Sequence, residues 1–251
     1  MRSFPRCLLA LSAIAALGAC SSDSSVAPVA RPATLDGALG ELSLSSVLSG
    51  GVATAMPGAA ISLTPGNCAF NSVSQSFVCA TVTAGGYTVS SSFTLLTASG
   101  GAQSAFDQAT TAAVRSTSSV SGSQVFNGST LVTDMTQTLT LSGLLTGVHT
   151  LNGTQLVKET DTPSGGVAST MTLATTIADL VLPADPTPGH YPKSGMITTT
   201  LTQPAQPGLP AYNFSMAVTF NGTSKVDVTI TDAGITQHCT VDLAAKTPSC
   251  V

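Results

Sequence analysis

Residues 214–220 read Phe214-Ser215-Met216-Ala217-Val218-Thr219-Phe220, and after an Asn221-Gly222 pair the pattern resumes as Val226-Asp227-Val228-Thr229-Ile230. Large apolar side chains fall on every second residue, with hydroxyl, small or charged residues between them. Period two places the apolar set on one face of an extended chain, which is the mark of antiparallel strands with one face on a core and one toward water.

The same alternation extends in both directions. Downstream, Ile235, Cys239, Val241 and Leu243 share a face; upstream, Leu131, Met135, Leu139 and Leu141 alternate with Asp134, Thr136, Thr138 and Thr140. Farther back, Tyr87, Val89, Phe93 and Leu95 alternate with Thr88, Ser90, Ser92 and Thr94. Ser and Thr occupy 69 of the 251 positions. A branched Cβ suits a strand and a hydroxyl tolerates solvent, so this excess is the wet face of a sheet.

Asn-Gly recurs at Asn127-Gly128, Asn152-Gly153 and Asn221-Gly222, each between alternating runs. Both residue types accept positive φ cheaply, so the pairs read as hairpin turns rather than glycosylation triplets. A two-residue loop at Asn127-Gly128 sets Val120 opposite Met135 and Val114 opposite Leu141. At Asn221-Gly222 the same loop would put Met216 against Asp227. A three-residue loop with Gly222 left-handed sets Met216 against Val226 and Phe214 against Val228, keeping apolar on apolar. Its neighbours leave the middle pair undecided.

The expected fold is therefore all-β: a single antiparallel meander of about nine or ten strands, as a curved sheet, half-barrel, barrel or sandwich. One short amphipathic helix is expected over residues 35–49, where Leu35, Leu39, Leu42 and Leu48 approximate helical spacing after Thr34 and before Gly50-Gly51.

Composition narrows the function classes. A mean hydropathy of +0.37 excludes a wholly disordered chain. Eight Lys and Arg against twelve Asp and Glu exclude a partner held by phosphate neutralisation, so no nucleic acid is expected.

Residues 1–19 form a secretory signal, with Arg2 and Arg6 ahead of an apolar run from Cys7 to Ala19 that is too short to span a membrane. Its end, Leu17-Gly18-Ala19-Cys20, resembles the lipobox of bacterial lipoproteins. The resemblance implies that Cys20 becomes the lipidated amino terminus, bearing a diacylglyceryl thioether and an amide-linked acyl chain such as palmitate. Its acyl chains make the bacterial membrane the one partner expected; no protein or ligand partner is assigned. Ser21 in place of Asp implies delivery to the outer membrane under enterobacterial sorting rules. Residues 20–33 form a tether of Ser, Ala and Pro, and residues 34–251 the β domain. Cutting the signal removes Arg2 and Arg6, leaving six cations against twelve acids, a net charge of −6.

Four cysteines remain. Cys68 and Cys79 are eleven apart, as are Cys239 and Cys250. In an oxidising compartment each pair reads as a disulfide inside one hairpin. That pairing sets Phe70 opposite Phe77 and Val241 opposite Pro248. A four-thiolate zinc site would need CxxC pairs that the chain lacks, so no metal and no cofactor are expected.

The search for catalytic groups finds no GxSxG, SxxK, HExxH or GxxxxGK pattern, so no catalytic residue is assigned and an envelope hydrolase is the least supported reading. His149 reads as a rim residue and His238 as a solvated strand residue. His190, Tyr191 and Lys193 bring an imidazole, a phenol and an amine together on a Pro-rich loop, the one candidate ligand loop. Glu159 and Asp161 alternate onto one face without calcium-site spacing. The leading expectation is a non-enzymatic, lipid-anchored envelope β-domain; the alternative is a half-barrel carrier of lipid or another apolar molecule, with the 35–49 helix as its lid.

Overall fold

A computed structural model describes residues 67–126, 128–183, 190–206 and 210–250. The expected signal, the lipidation site Cys20, the tether and the 35–49 helix lie outside the described residues.

The described residues form one antiparallel sheet. The amino-terminal hairpin pairs β1 (Cys68–Asn71) with β2 (Ser76–Cys79). β2 pairs with β4 (Tyr87–Thr97), whose same edge also receives β3 (Val82–Ala84) and β5 (Ala102–Gln103). From β4 the chain meanders through β6 (Thr111–Phe126), β7 (Ser129–Ser142), β8 (Thr150–Pro163), β9 (Ser169–Val181) and β10 (Ser194–Gln203). β11 (Tyr212–Phe220), β12 (Lys225–Asp232), β13 (Ile235–Asp242) and β14 (Thr247–Cys250) complete it. β1 and β14 are the two ends of the strand order, so among the described residues the sheet is open, not a closed barrel.

Nine strands have eight or more residues, in line with the period-two runs. The other five, of two to four residues, raise the total to fourteen. Pieces this short leave no alternation to read; three of them cover the outer edge of β4, where unpaired backbone groups would otherwise template association.

Register is set by which side chains must share the buried face. β6 and β7 pair Val120 with Met135 and Val114 with Leu141, and Phe126 opposes Ser129, as the two-residue loop requires. The β11–β12 turn differs from its expectation. Met216 faces Ile230 and Val218 faces Val228, a shift of four residues from a three-residue loop. An even shift keeps every apolar side chain on the same face, so hydrophobic pattern cannot separate the two. Local bonds decide: Asn221 Oδ1 accepts from the Thr223 amide (3.1 Å) and hydroxyl (2.8 Å), and the Gly222 amide donates to Pro192 O (3.0 Å). Gly222 does take the left-handed conformation, at φ +83°.

The middle Asn-Gly pair is no turn. Asn152-Gly153 lies inside β8, beside a two-against-one bulge in β9 that leaves Asp179 at φ +48°. Asn152 Oδ1 accepts the Asp179 amide at 2.8 Å, a donor the bulge removes from the ladder. Gly153 is required by closeness: a Cβ there would sit 2.4 Å from Thr138 O.

Both disulfides form, Cys68–Cys79 and Cys239–Cys250, with Phe70 opposite Phe77 and Val241 opposite Pro248. Phe77 stands edge-on to Phe70 (centroids 5.2 Å, 61°) and stacks on Phe93 (4.7 Å, 5°), which ties the short hairpin to β4.

Candidate functional site

Alternating burial gives the sheet one buried face, its inner face, and cross-strand register sorts that face into layers. Leu95, Val114, Leu141 and Leu151 lie in line across β4, β6, β7 and β8, and Val226 and Val241 continue the apolar face across β12 and β13. With the adjoining layer of Phe93, Leu139, Ile177, Ile197, Val218 and Val228 they form the large core cluster. A smaller cluster of Tyr87, Val89, Val120, Met135 and Val157, with Leu173 against it, occupies the same face farther along the strands.

Between the two clusters runs a belt of uncharged polar side chains. Ser91 pairs with Ser118, Ser118 with Gln137, Gln137 with Gln155, Gln155 with Thr175 and Thr175 with Thr199. Gln137 is 4% exposed and Gln155 6%, although glutamine is mostly a surface residue. The Gln155 amide nitrogen donates to Met135 Sδ at 3.4 Å, and its Oε1 is buried without a hydrogen-bond partner. Thr175 and Thr199 share a hydroxyl contact of 3.3 Å.

Beyond the small cluster the inner face turns acidic. Glu159 stands beside Thr133 and Met171, and Asp161 beside Leu131 and Ser169. Burial raises the Glu159 carboxyl above its ordinary value, because desolvation disfavours the charged form. Asp161 Oδ1 is buried and accepts no hydrogen bond. Apart from Thr133, the residues here are half-buried, so solvent reaches the inner face from this end.

The outer face carries Thr117, Thr138, Thr154, Thr176 and Thr198 aligned across β6 to β10. These hydroxyls account for the Thr excess as the wet side of the sheet.

The His190, Tyr191 and Lys193 segment differs in burial along its length. Tyr191 packs against the large cluster, whereas His190 and Lys193 are exposed. The backbone is stitched to the sheet, with the Lys193 amide donating to Val181 O (2.8 Å) and Pro192 O receiving Gly222. His149 lies in the β7–β8 connection immediately before β8, as a rim residue would, but is buried at 8% exposure. His238 is exposed on the outer face, Nδ1 3.3 Å from Thr229 Oγ1. Ile235, expected on the core face, is 69% exposed at the start of β13. Among the described residues no three His, Cys, Asp or Glu side chains gather where a metal ion could be held.

The belt was missed in sequence, yet its signal is there. The inward positions of β7 run Leu131, Thr133, Met135, Gln137, Leu139, Leu141, and the polar members break an otherwise apolar face. Gln155 and Thr175 break β8 and β9 at the same level, which only register reveals.

Family models, curated proteins and solved structures were all compared with this chain, and none matches it.

Proposed function

We propose that this chain is a non-enzymatic lipoprotein of the bacterial envelope, anchored through acyl chains on Cys20 and exposing an open β-meander as a binding domain. One observation carries the reading: Arg2 and Arg6, the apolar run and Leu17-Gly18-Ala19-Cys20 occur in the order that export and lipidation require. Several acyl chains, at about 0.8 kcal/mol per buried methylene, give stable anchoring where one myristoyl chain does not. Two disulfides suit an oxidising exported compartment. Ser21 favours the outer membrane, and the acidic balance of the mature chain disfavours added attachment to anionic lipid. Labelling cells with radioactive palmitate tests it: the wild type incorporates label and fractionates with membranes, while Cys20→Ala does neither. An unlabelled wild type, or unchanged membrane fractionation of Cys20→Ala, overturns the reading.

A second reading, a carrier of an apolar molecule, is favoured by the small cluster. Five apolar side chains line the inner face between a polar belt and a half-buried acidic end that solvent reaches.

A further inference from the structure

We infer that one end of the sheet is a docking surface for a zwitterionic bilayer, with Val125, Phe126 and Val167 as the side chains that enter it. The inference rests on the lipoprotein reading and deepens it by naming the part of the anchored domain that meets lipid.

In an antiparallel meander, successive connections alternate between the two ends of the sheet. Strand order puts the Gly85-Gly86 turn and the β6–β7, β8–β9, β10–β11 and β12–β13 connections at one end. The β5–β6, β7–β8, β9–β10 and β13–β14 connections lie at the other. The two ends differ in polarity. No described residue in the connections of the first end is charged, whereas those of the second carry Asp107, Lys193 and Lys246.

Apolar side chains stand out from the uncharged end. Phe126, the last residue of β6, is 72% exposed, and Val167 in the β8–β9 turn is 65% exposed; Val125 is exposed beside Phe126. The Ser164 amide donates to Gly128 O at 2.9 Å, which joins the two turns. Ile235 is exposed at the same end, after the β12–β13 turn. Single exposed apolar residues are ordinary, but these share an end whose turns lack charge. Val73, Leu145 and Val148 are also exposed, at the end that carries the charges.

The anchor and the charges select the partner. β1 and β4 both pair antiparallel with β2, so β1 runs parallel to β4 and its amino-terminal residue faces the uncharged end. Residues 21–66, at most about 150 Å when fully extended, separate Cys20 from β1 and its preceding Asn67. An acylated Cys20 therefore keeps the domain near lipid, where a weak contact suffices. No cation on these turns recruits anionic lipid, and Asp161 stands two residues in from Pro163, about 7 Å along β8. A zwitterionic surface fits that charge pattern, and entry is confined to the turns, within the roughly 5–10 Å depth of interfacial binding.

The chain has no Trp, so Phe126→Trp supplies a single emission reporter, with Val73→Trp at the opposite end as its control. Mass spectrometry of Cys20 in the mature protein tests the anchor by itself. The acylated protein is held in nanodiscs of dioleoylphosphatidylcholine, and the mature chain with Cys20→Ala is offered vesicles of the same lipid in excess. Exchanging the lipid for its dibrominated form should quench Phe126→Trp about twofold in both settings and Val73→Trp in neither. Phe126→Asp, combined with Val167→Trp, should weaken vesicle binding of the Cys20→Ala chain about tenfold. Adding phosphatidylglycerol should weaken that binding rather than strengthen it. Unquenched Phe126→Trp in both settings overturns the docking surface, whether or not Cys20 is acylated. A blue-shifted emission without bromine quenching also overturns it and assigns the turns to a protein contact. Equal quenching of Val73→Trp overturns the choice of end. Quenching of Phe126→Trp in a chain that carries no acyl group on Cys20 overturns the anchor and leaves the docking surface standing.

Discussion

The two apolar clusters of the inner face are built from the same strands and behave as different materials. The large one runs from Cys79 of β2 to Leu243 beyond β13 and includes Leu95, Val114 and Leu141, all without measurable exposure. The small one takes Tyr87 and Val89 from β4 and one residue each from β6, β7 and β8, with a polar belt on one side and an acidic, half-buried layer on the other. Burial stabilises in proportion to apolar area removed from water, so stability concentrates in the first. The second is buried as well, with Val120 and Val157 at 2% exposure, but it is smaller and bordered by polar side chains on both sides. A single strand such as β8 thus contributes Leu151 to the large cluster, Gln155 to the belt and Val157 to the small cluster.

Substitutions should separate the two. Leu151→Ala, in the large cluster, is expected to cost about 3–4 kcal/mol, read as a lowered midpoint in urea unfolding. Replacing Cys239 by Ala together with Cys250 by Ser should cost about 2–3 kcal/mol, because an eleven-residue closure no longer restrains the unfolded chain at the β13 edge. Val157→Ala, in the small cluster, should cost about 1 kcal/mol, less than the Leu151 variant by more than the difference in side-chain size; a cost equal to that of Leu151→Ala would merge the two regions. The smallest effect belongs to Glu159→Gln. Since burial raises the folded-state pKa of this acid, its ionisation opposes folding, and the penalty grows as pH rises from the unfolded to the folded value. The variant should melt slightly above the wild type at pH 7 and with it at pH 3. A wild type more stable than Glu159→Gln at pH 7 would mean that the carboxylate has a native partner.

Much of the architecture was legible because side-chain alternation constrains it locally. Phe70 opposite Phe77 and Val114 opposite Leu141 follow from cysteine spacing and apolar matching, and the structure pairs them so. Legibility failed where the pattern is indifferent. A shift of four residues between β11 and β12 leaves every face unchanged, so the Asn221–Thr223 hydrogen bonds had to decide. Asn152-Gly153 carries the composition of a turn yet serves a bulge whose extra residue, Asp179, is 27 positions away. The belt needed register across six strands, since each of its residues taken singly is an ordinary exception to an apolar run. The Pro-rich loop attracted notice through residue types alone, and Tyr191 turned out to serve the core.

Hydrogen exchange along β7 and β8 of the full-length protein tests the unequal inner face most directly. Amides from Leu139 to Ser142 and from Leu151 to Gln155 should exchange only through global unfolding, and those from Thr130 to Thr133 and from Glu159 to Thr162 at least tenfold faster. Uniform protection from one end of each strand to the other would contradict the account, because the inner face would then be a single cooperative core.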